Sequence, residues 1–279
     1  MLKGNDIGPR GTISLCNALE NNATVALLDL NGNNLENEGG MAVAKMLHIN
    51  QTLTHVNIGN CKIGTETVIA LATVLNHNTS VTVLNMENPR LFSLQEESTY
   101  HIARMLRVNK TLRELYMGKH KVRDSGAQFL AEHLAENPSL HTLDLRCCEV
   151  GIAGAEALAI LLINSQSAVQ KLNLSSNRVC DQGAQAFGVA LRSCRTLVSL
   201  DLTNNSIGDV GLCALAEGMN INTSIATLKL WGNTFGVESS LMWRNLMTGR
   251  FAAYELQIDF KSYIVDEEDF QAKVELPAE

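Results

Sequence analysis

Apolar residues recur along this chain in a fixed pattern with a period of about 28 residues. Each unit has a short apolar alternation, then a polar residue and another apolar one, as in Leu28, Leu30, Asn33 and Leu35. The central apolar position falls at Leu28, Val56, Leu84, Leu115, Leu143, Leu172, Leu200 and Leu228. Such alternation predicts a short strand, and a small-residue loop and an amphipathic helix follow it each time. Eight strands alternating with helices predict a parallel sheet covered by helices on one side.

The unit L-x-x-L-x-L-x-x-N/C-x-L resembles the leucine-rich repeat. Its length and its Gly-x-x-A-L-A helices resemble the ribonuclease-inhibitor-like subclass over residues 1–250. Segments 95–99, 101–106 and 257–266 also resemble a narrower family of intracellular, non-enzymatic repeat proteins. We therefore expect an α/β solenoid. Because parallel strands lie about 4.8 Å apart and packed helices about 8 to 10 Å, the stack must bend into a horseshoe with strands on its concave face and helices on its convex face.

The regular period is interrupted near both ends and once in the middle. Leu2, Asn5 and Ile7 align with the middle of a repeat, so we expect an exposed edge or, in preference, a shortened form of a longer protein. The spacing rises to 31 residues after Leu84, and the extra residues lie between 92 and 99. Such an insertion forms either a binding loop on one rim or a neutral insertion in a tolerant loop. The rim candidates are Ser93, Gln95, Glu96 and Glu97.

The repeat pattern ends near residue 250, and we expect residues 251–279 to cap the last repeat. Residues 255–260 and 270–274 are predicted to form two short strands, and the four acidic residues 266–269 a solvated turn. The predicted organisation is a solenoid at 1–250, with about eight repeats and an N-terminal partial repeat, followed by a capping segment at 251–279.

Two sets of polar residues recur at fixed phases, which indicates structural roles. Five N-glycosylation sequons fall where a helix ends and the next strand begins, so we interpret them as turns; they start at Asn22, Asn50, Asn78, Asn109 and Asn222. We call the polar residue after each strand the ladder residue: Asn5, Asn33, Cys61, Pro89, His120, Cys148, Asn177, Asn205 and Asn233. Asn or Cys there is expected to bond backbone groups of the turn, and Pro89 lacks the donors to do so.

Composition narrows the classes of function. A net charge of -7, a pI near 5.5 and the lack of a long Lys/Arg run argue against nucleic-acid binding. No apolar run suggests a signal peptide or a membrane span, so we expect a cytoplasmic protein, with the nucleus or nucleolus as alternatives. Seven cysteines without a CxxC pair indicate reduced thiols, and we expect neither a metal nor another cofactor.

The concave face holds the candidate binding residues. Side chains alternate along a strand, so the central concave column is Asp29, Asn57, Asn85, Tyr116, Asp144, Asn173, Asp201 and Lys229. The neighbouring columns add Glu87, Glu114, Arg146, Lys171 and Trp231. Because binding energy concentrates in aromatic and Arg anchors, we expect Tyr116, Arg146 and Trp231 to contact a partner. Asp29, Asp144 and Asp201 would steer a basic partner. Alternatively, Trp231 packs beneath the C-terminal cap, and Tyr116 and Arg146 belong to an ordinary solvated face.

These features predict a non-enzymatic scaffold that binds a protein of unknown identity on its concave face and insertion rim. The sequence has no P-loop, G-x-S-x-G or H-E-x-x-H motif, and for His120 a structural role is expected. One alternative is an activator of a small GTPase, because Ran GTPase-activating proteins resemble this repeat subclass, although their acidic tail is lacking here. The other alternative is the recognition fragment of a nucleotide-binding receptor. The oligomeric state is not indicated.

Overall fold

The computed structural model describes residues 2–91, 97–164, 166–252, 256–265 and 268–274. The strands are β1 (Leu27–Asp29), β2 (His55–Asn57), β3 (Val83–Asn85), β4 (Glu114–Tyr116), β5 (Thr142–Asp144), β6 (Lys171–Asn173), β7 (Ser199–Asp201), β8 (Thr227–Lys229), β9 (Gln257–Ile258), β10 (Phe260–Val265) and β11 (Glu268–Lys273). The helices are α1 (Pro9–Leu19), α2 (Glu36–Ile49), α3 (Thr65–Leu75), α4 (Glu97–Val108), α5 (Arg123–Leu134), α6 (Ile152–Ile163), α7 (Cys180–Ser193), α8 (Asp209–Met219) and α9 (Val237–Thr248).

The first nine strands form one parallel sheet in sequence order, β1 to β9. Its register aligns the predicted central positions, for example Leu28 with Val56 and Leu143 with Leu172. Each central side chain is buried, from Leu28 in β1 to Ile258 in β9. The helices lie side by side on one face of the sheet, and the core is the layer between the helices and the sheet. The predicted leucine-rich-repeat α/β solenoid is confirmed.

A sharp turn after each strand brings the ladder residue inward. The residue before it has a positive φ at every repeat, for instance +58° at Asn60, +63° at Lys119 and +80° at Gly232. Gly and Asn adopt this left-handed conformation at little cost. The turn then directs the ladder side chain into the core, where His120 and Asn205 are fully buried.

Helices α7 and α8 pack closely because Gly188 and Gly218 have no side chains. A Cβ atom at Gly188 would lie 2.4 Å from the carbonyl oxygen of Ala214, and one at Gly218 would lie 2.4 Å from the carbonyl oxygen of Gly188. These distances are too short for any side chain, so the two glycines determine how near the helices approach.

The C-terminal segment differs from the prediction of two strands. Gln257 and Ile258 form β9, a ninth strand of the main sheet, whereas Phe260 begins β10, which pairs antiparallel with β11. The predicted single strand at 255–260 is wrong because Asp259 turns its carboxylate toward β8 and the chain leaves the sheet there. Of the predicted acidic turn, Glu268 and Asp269 belong to β11, and residues 266 and 267 lie outside the described residues.

Candidate functional site

The strand face brings most of the predicted binding residues together. One shallow depression spans β4 to β8 and is lined by Glu114, Tyr116, Asp144, Lys171, Asp201 and Lys229, together with backbone and smaller side chains. A second, more apolar depression spans β1 to β4 and includes Leu27, His55, Val83 and Tyr116. Tyr116 lines both depressions. It therefore lies at the point where the two halves of the concave face meet.

The central concave column has a structural role that the sequence pattern did not reveal. In six strands the side-chain oxygen of the central residue accepts the backbone N–H two residues later, at distances of 2.9 to 3.1 Å. These residues are Asp29, Asn57, Asn85, Asp144, Asn173 and Asp201. Each stabilises the turn that follows its strand, which is why Asp and Asn recur there. Tyr116 and Lys229 are the two exceptions in this column.

Tyr116 is held by its neighbour on the same strand. Its hydroxyl donates to Glu114 Oε2 at 2.6 Å, and both side chains are half-buried. Lys229 Nζ lies 3.9 Å from Asp201 Oδ2 on the adjacent strand, while Lys171 is exposed. The depression therefore combines an aromatic ring with charges of both signs, which suits a polar protein surface.

Arg146 is engaged within the chain. Its guanidinium pairs with Glu87, and Nη1 lies 3.3 Å from Asp144 Oδ2. Burial raises the pKa of Asp144 above its usual range, although the backbone N–H and the charge of Arg146 oppose the shift. The Arg146 side chain is 40% exposed and that of Glu87 is 15% exposed, so a partner would meet a pre-assembled ion pair.

Trp231 lies at the C-terminal end of the face. Its side chain is half-buried and packs against the core. Its backbone N–H and that of Leu230 donate to the carboxylate of Asp259, at 3.1 and 2.7 Å. In other repeats the N–H equivalent to that of Leu230 donates to a backbone carbonyl of the next strand, as Leu202 does to Lys229. Asp259 therefore substitutes for that carbonyl, and burial raises its pKa.

The predicted rim is described only in part. Glu97 is the exposed first residue of α4, and Ser93, Gln95 and Glu96 lie outside the described residues.

The sequon residues and the ladder residues, for which structural roles were predicted, both form hydrogen bonds between repeats. The sequon residues Asn50, Asn78, Asn109 and Asn222 are buried and donate through Nδ2 to carbonyls of the preceding repeat. The ladder residues from Asn33 onward, apart from Pro89, bond a backbone carbonyl one repeat earlier, as His120 Nε2 does to Met86 at 2.8 Å.

One group of potential metal ligands was not singled out in the sequence. Asp209, Cys213 and Glu238 place ligand atoms within 4.8 Å of one another on the helix side. Asp209 Oδ1 already accepts the backbone N–H groups of Gly236 and Ser239, at 3.0 and 2.9 Å. It thereby caps α9, and Asp124 and Asp181 cap α6 and α8 in the same way. This repeated arrangement explains the position of Asp209 without a metal.

Comparison with known proteins gives a consistent result. The family model described as "Leucine Rich repeat" matches residues 21–44, 50–72, 108–131, 136–159, 168–188 and 193–216. "Leucine-rich repeat-containing protein 34" of Rattus norvegicus is 37% identical over 187 residues, which are 67% of this chain and 45% of that protein. "Ribonuclease inhibitor" of Sus scrofa is 30% identical over 60% of this chain and 37% of its own length. The repeat predicted the resemblance to ribonuclease inhibitor. Segments 95–99, 101–106 and 257–266, which depart from the repeat, predicted the resemblance to the narrower family.

"NACHT, LRR and PYD domains-containing protein 12" of Mus musculus is 31% identical over 46% of this chain and 15% of its own length. The chain thus spans less than half the length of each of these relatives. Within the described residues, no helix has the length and apolar character that crossing a membrane requires.

Proposed function

Because this chain belongs to the leucine-rich-repeat family, we propose that it is a non-enzymatic scaffold whose concave face binds a protein partner. Leucine-rich-repeat proteins are generally scaffolds for protein interaction, and their strand face is a long surface that several repeats share. The observation that carries the proposal is the depression across β4 to β8, where six of the predicted binding residues lie together.

Among these residues Tyr116 is the best candidate for a contact of high energy. It is half-buried, it lines both depressions, and it does not take part in the strand-end bonding that occupies the Asp and Asn residues of its column. Tyr supplies a large rigid contact area at a low entropic cost. Arg146 is a weaker candidate because a partner would first have to compete with Glu87, and Trp231 is weaker because it already packs against the core.

The test compares partner recovery by matched variants. The concave variant is Tyr116→Ala with Lys171→Glu, and the control is Tyr100→Ala with Lys45→Glu, which makes the same changes at exposed positions of α4 and α2. Tagged proteins are captured from cells, and the recovered proteins are quantified by mass spectrometry. We expect at least one protein to bind the wild type and the control equally and the concave variant at least tenfold less, a loss of about 1.4 kcal/mol. Equal recovery by both variants contradicts the concave-face proposal.

The insertion rim is proposed as a second contact, with Ser93, Gln95, Glu96 and Glu97 as its residues. Deletion of residues 93–97 in the same capture experiment tests it separately. A partner that the deletion variant retains in full does not use the rim.

We place the protein in the cytoplasm, with the nucleus or nucleolus as the alternatives, and microscopy of the tagged full-length chain decides between them. The lack of enzymatic activity is tested against the GTPase-activating alternative, for which single-turnover GTP hydrolysis by a Ran-type GTPase is the assay. We expect no acceleration at micromolar protein.

A further inference from the structure

We propose that the valley between α3 and α4, on the helix side of the solenoid, binds a glutamate or aspartate side chain of an acidic protein segment. The valley contains a depression of about 410 Å³. Its lining residues are Ala72, Thr73, Asn76, His77, His101, Arg104 and Val108. The depression lies on the opposite side of the sheet from the concave face. The proposal therefore goes beyond the proposed function and does not depend on it.

The basic residues of the valley come from facing sides of the two helices. His101, Arg104 and Val108 follow one another at spacings of three and four residues, so they form one stripe along α4. On the other side, α3 ends at Leu75, and His77 follows two residues later. His101 is half-buried, whereas Arg104 and His77 are exposed. Three basic side chains thus line the same depression.

The donors of these side chains are available to a ligand. Within the described parts of the chain, the Arg104 side chain makes neither an ion pair nor a hydrogen bond, and its guanidinium carbon lies 5.8 Å from the centroid of the Tyr100 ring. The rings of His77 and His101 have no hydrogen-bond partner among the same residues. A guanidinium uses its N–H groups best when two of them meet two oxygens in one plane, and a carboxylate provides this geometry.

Other valleys of the helix layer pair their basic residues with acids. Lys45 shares the depression between α1 and α2 with Glu20 and Glu38. Between α7 and α8, Arg192 Nη2 lies 2.6 Å from Glu217 Oε2. Among the described residues that line the α3–α4 depression, three are basic and none is acidic. The positive charge of this valley is therefore left for a ligand to neutralise.

The lack of acids extends through the sequence around the valley. Residues 67–86 and 98–113 contain neither Asp nor Glu. The acids of α3 and α4 are Glu66 and Glu97, which lie in the first turns, at the other ends of these helices. The whole protein has a net charge of -7. A basic depression on an acidic protein attracts an anionic segment to one place and repels it elsewhere.

The number of charges favours a carboxylate over a phosphate or a nucleic acid. Arg104 is the one arginine or lysine among the described lining residues, so a single permanent charge meets the ligand. The end of α3 beside Asn76 carries a partial negative charge, which disfavours a doubly charged phosphate. Nucleic acids require a row of basic residues. Val108 is 58% exposed and offers an apolar contact next to Arg104. The expected ligand is therefore an acidic residue beside an apolar one.

A peptide titration of the full chain, followed by NMR, tests the proposal. The probe is a synthetic peptide with the central sequence Leu-Glu-Glu-Leu, and the neutral control peptide has Gln in place of both Glu residues. The signals observed are the side-chain N–H groups of Arg104 and Asn76 and the methyl groups of Ala72 and Val108. We expect the acidic peptide to shift these signals with saturation, and the neutral peptide to bind about fivefold more weakly or less.

Two variants and one control locate the binding. Arg104→Gln should weaken binding of the acidic peptide about fivefold or more, because it removes the charge and the paired donors. Thr73→Glu retains Arg104 but places an acid in the valley at an exposed position, and it should weaken binding as well. The control is Arg10→Gln, which removes the same charge from an exposed position of α1 and should leave binding unchanged.

The proposal is overturned if the acidic peptide does not shift the lining signals, or if it binds the wild type and Arg104→Gln equally. Equal binding of the acidic and neutral peptides also overturns it. A third peptide has phosphoserine in place of both Glu residues. Tighter binding of that peptide through Arg104 would show that the depression takes phosphate, and the assignment to a carboxylate would be wrong.

Discussion

The buried ring of His120 gives the structure a titration that can be measured directly. The side chain is fully buried and its Nε2 lies 2.8 Å from the carbonyl oxygen of Met86. Burial removes the water that a charged ring needs, and this lowers the pKa of His120 from its usual 6.5 to about 4, with the bond to Met86 opposing the shift. The ring is therefore neutral at pH 7 and donates from Nε2.

Because folding lowers the pKa of His120, protonation of the ring destabilises the folded protein. In the unfolded chain the His120 ring is protonated below about pH 6.5, whereas in the folded chain it is protonated only below about pH 4. The free energy of unfolding is therefore highest above pH 6.5 and decreases as the pH falls toward 4. The linkage between protonation of His120 and folding lowers the free energy of unfolding by about 2 kcal/mol between pH 7.5 and pH 5. Buried carboxyl groups such as Asp259, whose pKa is raised, have the opposite sign, so they must be separated from His120.

The comparison with His120→Asn makes this separation, because every other group titrates in both proteins. Urea unfolding at pH 7.5 and pH 5 should show that the wild type loses about 2 kcal/mol more than the variant. NMR titration of the ring carbons of His120 gives the pKa itself. A pKa near 6.5, or the same pH dependence in both proteins, refutes the reasoning from burial.

Three further predictions concern stability and are measured by urea unfolding. Asp259→Ala leaves the backbone amides of Leu230 and Trp231, which follow β8, unsatisfied and should cost about 2 kcal/mol, whereas Asp259→Asn keeps an acceptor and should cost less. Gly188→Ala places a methyl group against the carbonyl of Ala214 and should cost about 1 to 3 kcal/mol or more; Gly11→Ala, in an exposed helical position, should be neutral or stabilising by up to about 1 kcal/mol. Asn78→Ala removes bonds within its own turn and to the turn of the preceding repeat and should cost about 2 to 4 kcal/mol, and a loss below about 0.5 kcal/mol contradicts its structural role.

The repeat made the fold predictable because each unit must bury its apolar face against the next one. This requirement fixed the central apolar positions, the parallel order and the ladder, and all three are present. It could not predict the end of the solenoid, where no further repeat imposes the pattern. Asp259 occupies the central concave position in line with Lys229, yet its side chain replaces a backbone carbonyl. An aspartate at that phase looks the same in sequence whether it faces solvent or closes the sheet.

The contacts on the concave face were predicted less completely because periodicity relates each repeat only to its neighbours. The pairing of Glu87 with Arg146 joins residues 59 positions apart, and it requires the intervening Gly118 to lack a side chain. The sequence did contain a signal of this pairing, since one concave column has an acid, a glycine and a base in successive repeats. Reading the columns across repeats, as well as along the chain, would have found it.

The same bonding limits which concave residues are available to a partner. Six of the eight residues in the central column use a side-chain oxygen to stabilise their own turn, so substituting them would disturb the scaffold together with the surface. Tyr116 and Lys229 are not restricted in this way. Specific recognition can therefore evolve most freely at these two positions and in the column that contains Glu114 and Lys171.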